Sequence, residues 1–225
     1  MNIVIINGSL RKSGATASIL DEFKQNLSLH EDVEVSYFQL SDLKVEYCQG
    51  CCACYKTGSC FIKDDCEKLS LAISEADGLI IGSPTYASGV SGKLKTFIDR
   101  GHFVVEQLLS NTCALSVATY ENAGGSSVSQ FLKNLFVLSG ANNIGNLTVK
   151  VPFGENPLNQ ESTNKKALAL SNRLYRAIQK KSSPNLFDLI YHSIALRFVL
   201  KPLVKRKGKA YQGVLDRWKK LGISS

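Results

Sequence analysis

The sequence predicts an α/β fold: a doubly wound parallel sheet of five strands, followed by a C-terminal helical extension. Three observations carry this. Up to residue 181, strand-like runs alternate strictly with helix-like runs, an order that requires crossover connections and therefore a parallel sheet. Most of the strand-like runs are short and continuously apolar, as suits strands covered on both faces. The chain has 225 residues and is 44% hydrophobic, enough for one large domain with a full core.

In order, Ile3-Val4-Ile5-Ile6 is a buried strand of β-branched residues. A helix follows at about 16–29, then a partly alternating strand at 33–38. After a cysteine-rich segment at 48–66, a helix is expected at 65–75 and a third strand at 78–82. The region 92–109 reads as one helix, with Leu94, Phe97, Ile98, Val104, Val105 and Leu108 giving much of its inner face. A strand at 113–118, a helix at 126–138, a strand at 144–151 and a helix at 159–181 complete the body. Ser182-Ser183-Pro184 marks a boundary, so the body spans 1–181 and the extension 182–225.

Charge separates the two parts. Up to Lys180, 17 Lys and Arg balance 17 Asp and Glu; from Lys181 onward there are 10 against 2, so the whole net charge of +8 lies in the tail. The body gives no nucleic-acid signal. No apolar run is long enough to span a bilayer. The N-terminus has no charged segment leading into a long apolar stretch, so no secretory signal is expected. Seven cysteines in such a chain point to reduced thiols or a metal site in the cytoplasm rather than a disulfide scaffold.

The first strand runs straight into Asn7-Gly8-Ser9-Leu10-Arg11-Lys12-Ser13-Gly14-Ala15-Thr16. Gly8 and Gly14 allow sharp turns. Ser9, Ser13 and Thr16 supply hydroxyls, and Arg11 a cation whose fork suits phosphate. The helix start adds free N–H groups at its positive dipole end. The alternative is an ordinary polar turn. The loop is neither a Walker A loop nor a Gly-x-Gly-x-x-Gly fingerprint, which argues against ATP and against a Rossmann dinucleotide. In a doubly wound sheet the ligand lies beyond the carboxyl ends of the strands. There this loop would meet the one from Ser83 to Lys93, with the flat ring of Tyr86, and the one from Thr119 to Gly125, with two glycines that admit a planar ring. A phosphate pocket beside backbone donors and an aromatic wall suits a phosphorylated planar cofactor. Tyr86 could equally be an interface tyrosine.

Asn7-Gly8-Ser9-x-Arg11-x-x-Gly14-x-Thr16, Gly82-Ser83-Pro84-Thr85-Tyr86 and Lys95-x-Phe97-Ile98-Asp99-Arg100 together resemble the flavodoxin-like NAD(P)H-dependent FMN reductases. The nearest branch looks like the iron–sulfur flavoproteins. The resemblance covers roughly 1–181. It implies that Ser9, Arg11, Gly14, Ala15 and Thr16 cradle the FMN phosphate, that Pro84, Thr85, Tyr86 and Ser88 contact the flavin, and that Thr119, Gly124 and Gly125 border the ring's other side. Ala15 departs from the Asn common in the family, which keeps the backbone donor and loses a side-chain contact. The resemblance also implies an oxidoreductase in which NAD(P)H reduces FMN, which in turn reduces a quinone, a flavin or a small electron acceptor, often in a homo-oligomer. The flavin carries the chemistry, so no catalytic side chain is assigned. Asp99-Arg100 reads as a structural ion pair or helix anchor, and His30, His102 and His192 receive no role.

Cys48-x-x-Cys51-x-x-Cys54, with Cys60 after five more residues, is a compact thiolate set that can fold round one 4Fe-4S cluster. Zinc sites usually separate their pairs more widely. The spacing and the flanking Asp64-Asp65 resemble the iron–sulfur flavoproteins, which gives the alternative function of an electron carrier between protein partners. The other alternative is a set of packed thiols beside the flavin with no cluster. Cys113, in a strand, reads as core.

In the tail, Phe187, Ile190, Tyr191, Ile194 and Phe198 recur at helical spacing. Pro202 is expected to end or kink that helix. The stripe is expected to dock on the body or on a second subunit. The basic cluster Lys205-Arg206-Lys207-Gly208-Lys209 allows contact with an anionic membrane surface as the lesser alternative.

Overall fold

The computed structural model describes residues 1–223. Five strands, β1 (Asn2–Asn7), β2 (Glu34–Gln39), β3 (Gly78–Pro84), β4 (Cys113–Tyr120) and β5 (Asn142–Lys150), form one all-parallel sheet in the order β2-β1-β3-β4-β5. The chain leaves β1 for β2 on one side and passes to β3 on the other, so a crevice opens at the carboxyl end of β1.

Strand alternation divides the core in two. Ile3 and Ile5 point to the face covered by α1 (Ala15–Ser28) and α6 (Glu161–Gln179), where Phe23, Leu27 and Leu174 are fully buried. Val4 and Ile6 point to the opposite face, packed by α3 (Asp65–Ser74), α4 (Gly92–Arg100) and α5 (Gly125–Leu138) through Leu69, Phe97 and Phe136. Burial on both faces explains why these strands read as unbroken apolar runs.

The helix expected at 92–109 stops at Arg100. Residues 101–111 form successive turns, with His102, Gln107 and Asn111 at positive φ. A Cβ at Gly101 would run into the Phe103 ring, which folds back to meet Phe97 edge-on at 5.6 Å. Val104 serves the main core and also a third cluster formed by the tail. Its helical spacing therefore reflects two cores, not one helix face.

The tail comprises α7 (Leu186–Ala195), a wide π turn (Leu196–Leu200), α8 (Lys201–Lys207) and α9 (Gln212–Lys220). Pro202 does not end the helix. The π turn before it leaves Pro202 in the first turn of α8, where a missing N–H costs little. The stripe does not dock on the body. Phe187 is 83% exposed, and Ile190, Tyr191, Ile194 and Phe198 are about half exposed or more. α7 instead attaches by its polar side: Asp188 is buried and pairs with Lys133 of α5 at 3.1 Å, and His192 Nε2 lies 2.7 Å from Gln107 Oε1. The apolar residues that do dock come later, at Leu200, Val204, Val214 and Trp218. Among the described residues no helix is long and apolar enough to cross a membrane.

Candidate functional site

A cleft of about 1120 Å³ opens at the carboxyl edge of the sheet. Its first wall is the loop after β1. Gly8 N–H donates to Gly82 O at 2.8 Å, and a Cβ on Gly8 would sit 2.8 Å from that same oxygen, so the loop can bind β3 this closely only through glycine. Ser9 is buried and acts as a brace: its N–H donates to Asn7 Oδ1, and its hydroxyl accepts from Arg11 N–H at 3.1 Å. Gly14 caps α1 with extended backbone and no side-chain acceptor, and the first turn of the helix holds no acidic residue. The positive end of a 14-residue helix therefore faces the cleft without an internal anion. Arg11 stands over the Phe153 ring, 5.1 Å from its centroid.

The second wall follows β3. Thr85 N–H donates to Thr119 O at 2.8 Å, while the buried Thr85 hydroxyl has no partner. Tyr86 and Gly89 exchange two backbone hydrogen bonds across a two-residue turn, in which Ala87 and Ser88 both take positive φ, 48° and 61°. That geometry is strained for residues with a Cβ. Tyr86 is half-exposed along the cleft.

Arg11, Gly14, Ala15, Pro84, Thr85, Tyr86, Ser88 and Thr119 line the cleft, whereas Ser9, Thr16, Gly124 and Gly125 lie behind its surface. Thr16 Oγ1 meets Thr119 Oγ1 at 2.7 Å and ties α1 to β4. The two glycines pack closely against the protein itself. A Cβ on Gly124, whose φ is +87°, would meet Ser88 Oγ at 2.7 Å, and one on Gly125 would enter the Tyr120 ring. Both glycines make room for protein.

Residues 120–123, at the end of β4 and just beyond it, form the third wall, and a fourth adds to the three loops that the sequence predicts. The loop after β5, residues 151–156, closes the cleft with Phe153, which is 76% exposed, and turns at Gly154, φ +85°. An aromatic residue between Pro152 and Gly154 just past a strand end is the sequence signal for it.

The chain leaves β2 through a 3₁₀ turn at Leu40–Asp42 and runs through the cysteine segment into α3. Arg100 closes the base of that segment. The guanidinium makes a bidentate pair with Asp64 at 2.8 and 3.0 Å and donates to Glu46 O at 2.9 Å, and both side chains are about 1% exposed. The carboxylate also accepts from Glu46 N–H and Cys66 N–H. Burial pushes the Asp64 pKa up, but these hydrogen bonds and the Arg100 charge outweigh it and the net shift is downward. The expected Asp99–Arg100 pairing is replaced: Asp99 pairs with Lys95, and Arg100 reaches across to Asp64.

All seven cysteines are free. Cys48, Cys51 and Cys52 are exposed, while Cys54, on the short helix α2 (Ala53–Thr57), and Cys60 are half-buried. Cys66 and Cys113 are buried, with thiols pushed up to about 11 by burial. Among the described residues no three metal-type donors converge. The donor set itself, free thiols at Cys48, Cys51 and Cys54 separated by two residues with Cys60 after five more, suits an iron–sulfur cluster chemically. His102, given no role from sequence, lies beside this set, 3.1 Å from Glu106. Burial lowers its pKa, but the Cys54 thiol and Glu106 raise it further, to about 10.

A 2-1-3-4-5 parallel sheet with an anion-ready loop at its crevice defines a flavodoxin-like protein. An oxidised flavodoxin of Bacillus cereus superposes with a TM-score of 0.53 at 15% identity, covering 78% of this chain and 98% of the flavodoxin. The chain belongs to the NADPH-dependent FMN reductase family, whose model matches residues 1–156. Its relatives include an iron–sulfur flavoprotein of Clostridioides difficile, 40% identical over 225 residues, covering 99% of this chain and all of the relative. Another, from Archaeoglobus fulgidus, is 29% identical over 230 residues, again covering 99% of this chain and all of the relative. Membership makes the protein a flavin oxidoreductase. FMN fits the cleft on two observations: the unpartnered buried Thr85 hydroxyl, and the α1 N-terminus that lacks an internal anion.

Proposed function

We propose that this protein is an NAD(P)H-dependent FMN oxidoreductase that passes electrons to a quinone, a free flavin or a small carrier. The observation that carries this reading is the uncapped start of α1 beneath Arg11, an anion site at the mouth of the cleft. In this reading Arg11 and the backbone donors of Gly14 and Ala15 hold the phosphate, while Ser9 and Thr16 brace them. Pro84, Thr85, Tyr86 and Ser88 meet the ring, with Thr119 below it and Gly124 and Gly125 supporting Ser88 and Tyr120. When bound, FMN supplies the acceptor for hydride. The protein's part is orientation and electrostatics: the N–H groups of Thr85, Tyr86 and Gly89 are spent on protein carbonyls, so those of Ala87 and Ser88 are the donors this turn would offer the reduced ring.

The decisive experiment is anaerobic mixing of FMN-loaded protein with NADH and with NADPH, followed by flavin absorbance. Bleaching by either supports the reading. If neither bleaches the flavin while a reduced protein donor does, the second reading holds: an iron–sulfur flavoprotein that carries electrons between proteins. Four free thiols at 48, 51, 54 and 60, and the names of the two relatives, favour a cluster in either case. Cys48, Cys51, Cys54 and Cys60 would hold it. A cytoplasmic location and a homo-oligomer complete the proposal, the latter supported by the exposed stripe on α7.

A further inference from the structure

The cysteine segment is held at two levels. Arg100 and Asp64 close its base. Its crown, the single turn that carries Cys54, rests on the C-terminal helix. Gly213, in the first turn of α9, lies against the cap of α2: a Cβ there would strike the backbone nitrogen of Gly58 and come within 2.8 Å of its Cα. Backbone thus meets backbone with no side chain between. Gly58, at φ +80°, donates its N–H to Cys54 O at 2.7 Å, so one hydrogen bond separates this contact from the Cys54 backbone. Beside it the Tyr211 ring packs on Tyr55, with centroids 4.8 Å apart. α9 is fixed from behind. The indole N–H of the buried Trp218 donates to Val105 O at 2.9 Å, and Arg217 Nε donates to Glu106 O at 2.8 Å.

A five-residue helix cannot sustain itself, because nucleation costs more than one turn returns. α2 has no buried residue of its own, and its neighbours in sequence are exposed loop. Its support is therefore external, and it comes from a tail beyond the residues that the family model matches. We propose that α9 is a clamp that positions Cys54, so that retention of an iron–sulfur cluster depends on the tail. The cluster clause rests on reading Cys48, Cys51, Cys54 and Cys60 as ligands; the placement of Cys54 does not. Gly213 and Trp218 are positioning residues that act through α2 on a ligand held to tight geometry.

The test uses the full FMN-loaded chain as wild type, Gly213→Val and Trp218→Phe. Iodoacetamide labelling is read cysteine by cysteine before any iron is added. The protein is then reconstituted anaerobically with ferrous iron and sulfide, and iron loss to a chelator and, after reduction with dithionite, the low-temperature EPR spectrum are followed. In Gly213→Val, Cys54 labelling should rise roughly tenfold through local opening, while Cys48 stays fast, Cys113 stays protected and the flavin spectrum is unchanged. Iron should leave several-fold faster and the EPR signal should shift. Trp218→Phe drops one hydrogen bond and leaves a small cavity behind α9 without touching the Gly213–Gly58 contact, so it should fall between. Equal Cys54 labelling in all three proteins overturns the clamp. If Cys113 also reacts in Gly213→Val, that variant has unfolded, and Trp218→Phe decides by the same Cys54 criterion. If wild type takes up no cluster, the ligand reading fails, and the labelling ratio alone upholds or overturns the clamp.

Discussion

Thr85 and Arg11 are both placed to serve an anionic, polar ligand, and they separate stability from binding. The Thr85 hydroxyl is buried without a partner, a state that costs about 1–3 kcal/mol in the ligand-free protein. Thr85→Val replaces it with a methyl of similar volume. The variant should be about 1 kcal/mol more stable than wild type without FMN, yet bind FMN more weakly, because the hydroxyl's intended partner is lost. Arg11→Ala leaves a half-solvated loop and should cost only binding, about 1.5–3 kcal/mol for a contact to a charged group. Thermal melts with and without FMN measure both effects. A Thr85→Val protein with unchanged stability and unchanged FMN affinity places the pocket elsewhere. Asp64 behaves differently, because its partner is buried with it. Its folded pKa lies below the unfolded value of about 3.9. The stabilisation is therefore fully present above that unfolded value and is lost as pH falls through the lower, folded one. Asp64→Ala strands the Arg100 guanidinium and should cost about 3–5 kcal/mol near pH 7. That deficit should shrink in strongly acid solution, as urea titrations at the two pH values would show; a deficit that does not change with pH contradicts the assignment.

Among the elements, the sheet and its flanking helices were legible in the sequence because β1, β3 and β4 are buried on two faces while the edge strands β2 and β5 and the helices are buried more on one, so burial imprints a pattern on the residues. The three polar loops were legible because they follow those strands. What escaped has a physical reason in each case. Residues 101–111 mimic helical spacing because Val105 feeds a tail core and Val104 both that core and the main one. The Phe153 loop bears a single aromatic residue, too short a signal to stand out. A glycine in a sequence shows only that something approaches closely, and Ser88 and Tyr120 do so at Gly124 and Gly125. The turn at Ala87 and Ser88 was also invisible, since its ideal residues are Asn and Gly. Left-handed backbone at Ala87 costs about 1–2 kcal/mol, against about 0.5–1 kcal/mol of extra unfolded-state entropy for glycine. Ala87→Gly should therefore stabilise the FMN-free protein by about 0.5–1 kcal/mol, read as a higher midpoint in chemical denaturation. A lower midpoint would show that the turn carries no strain.

For the whole molecule, the unexplained surface is the outer face of α7. The helix is inside out: Asp188 and His192 face the body, and Leu186, Phe187, Ile190, Ile194 and Phe198 face solvent. Exposed side chains of this size, contiguous along one helix, mark a surface that a partner covers. The net charge of +8 lies in this same tail, but the basic cluster follows the stripe on α8 instead of flanking it along α7. An apolar face with its charge displaced to one end suits a second copy of the chain better than an anionic membrane, where cations flank the apolar face along its length. Phe187→Asp combined with Ile194→Asp breaks the stripe and leaves α9 and its contact with the cysteine segment in place. Sedimentation at low micromolar concentration should find wild type assembled and the double variant monomeric, with FMN still bound in both. Anionic phosphatidylserine vesicles added to each protein test the other arrangement. If the variant keeps its assembly and only vesicle binding disappears, the stripe is a membrane surface; if neither property changes, the face has no partner of either kind and the inverted polarity of α7 serves the Asp188–Lys133 anchorage alone.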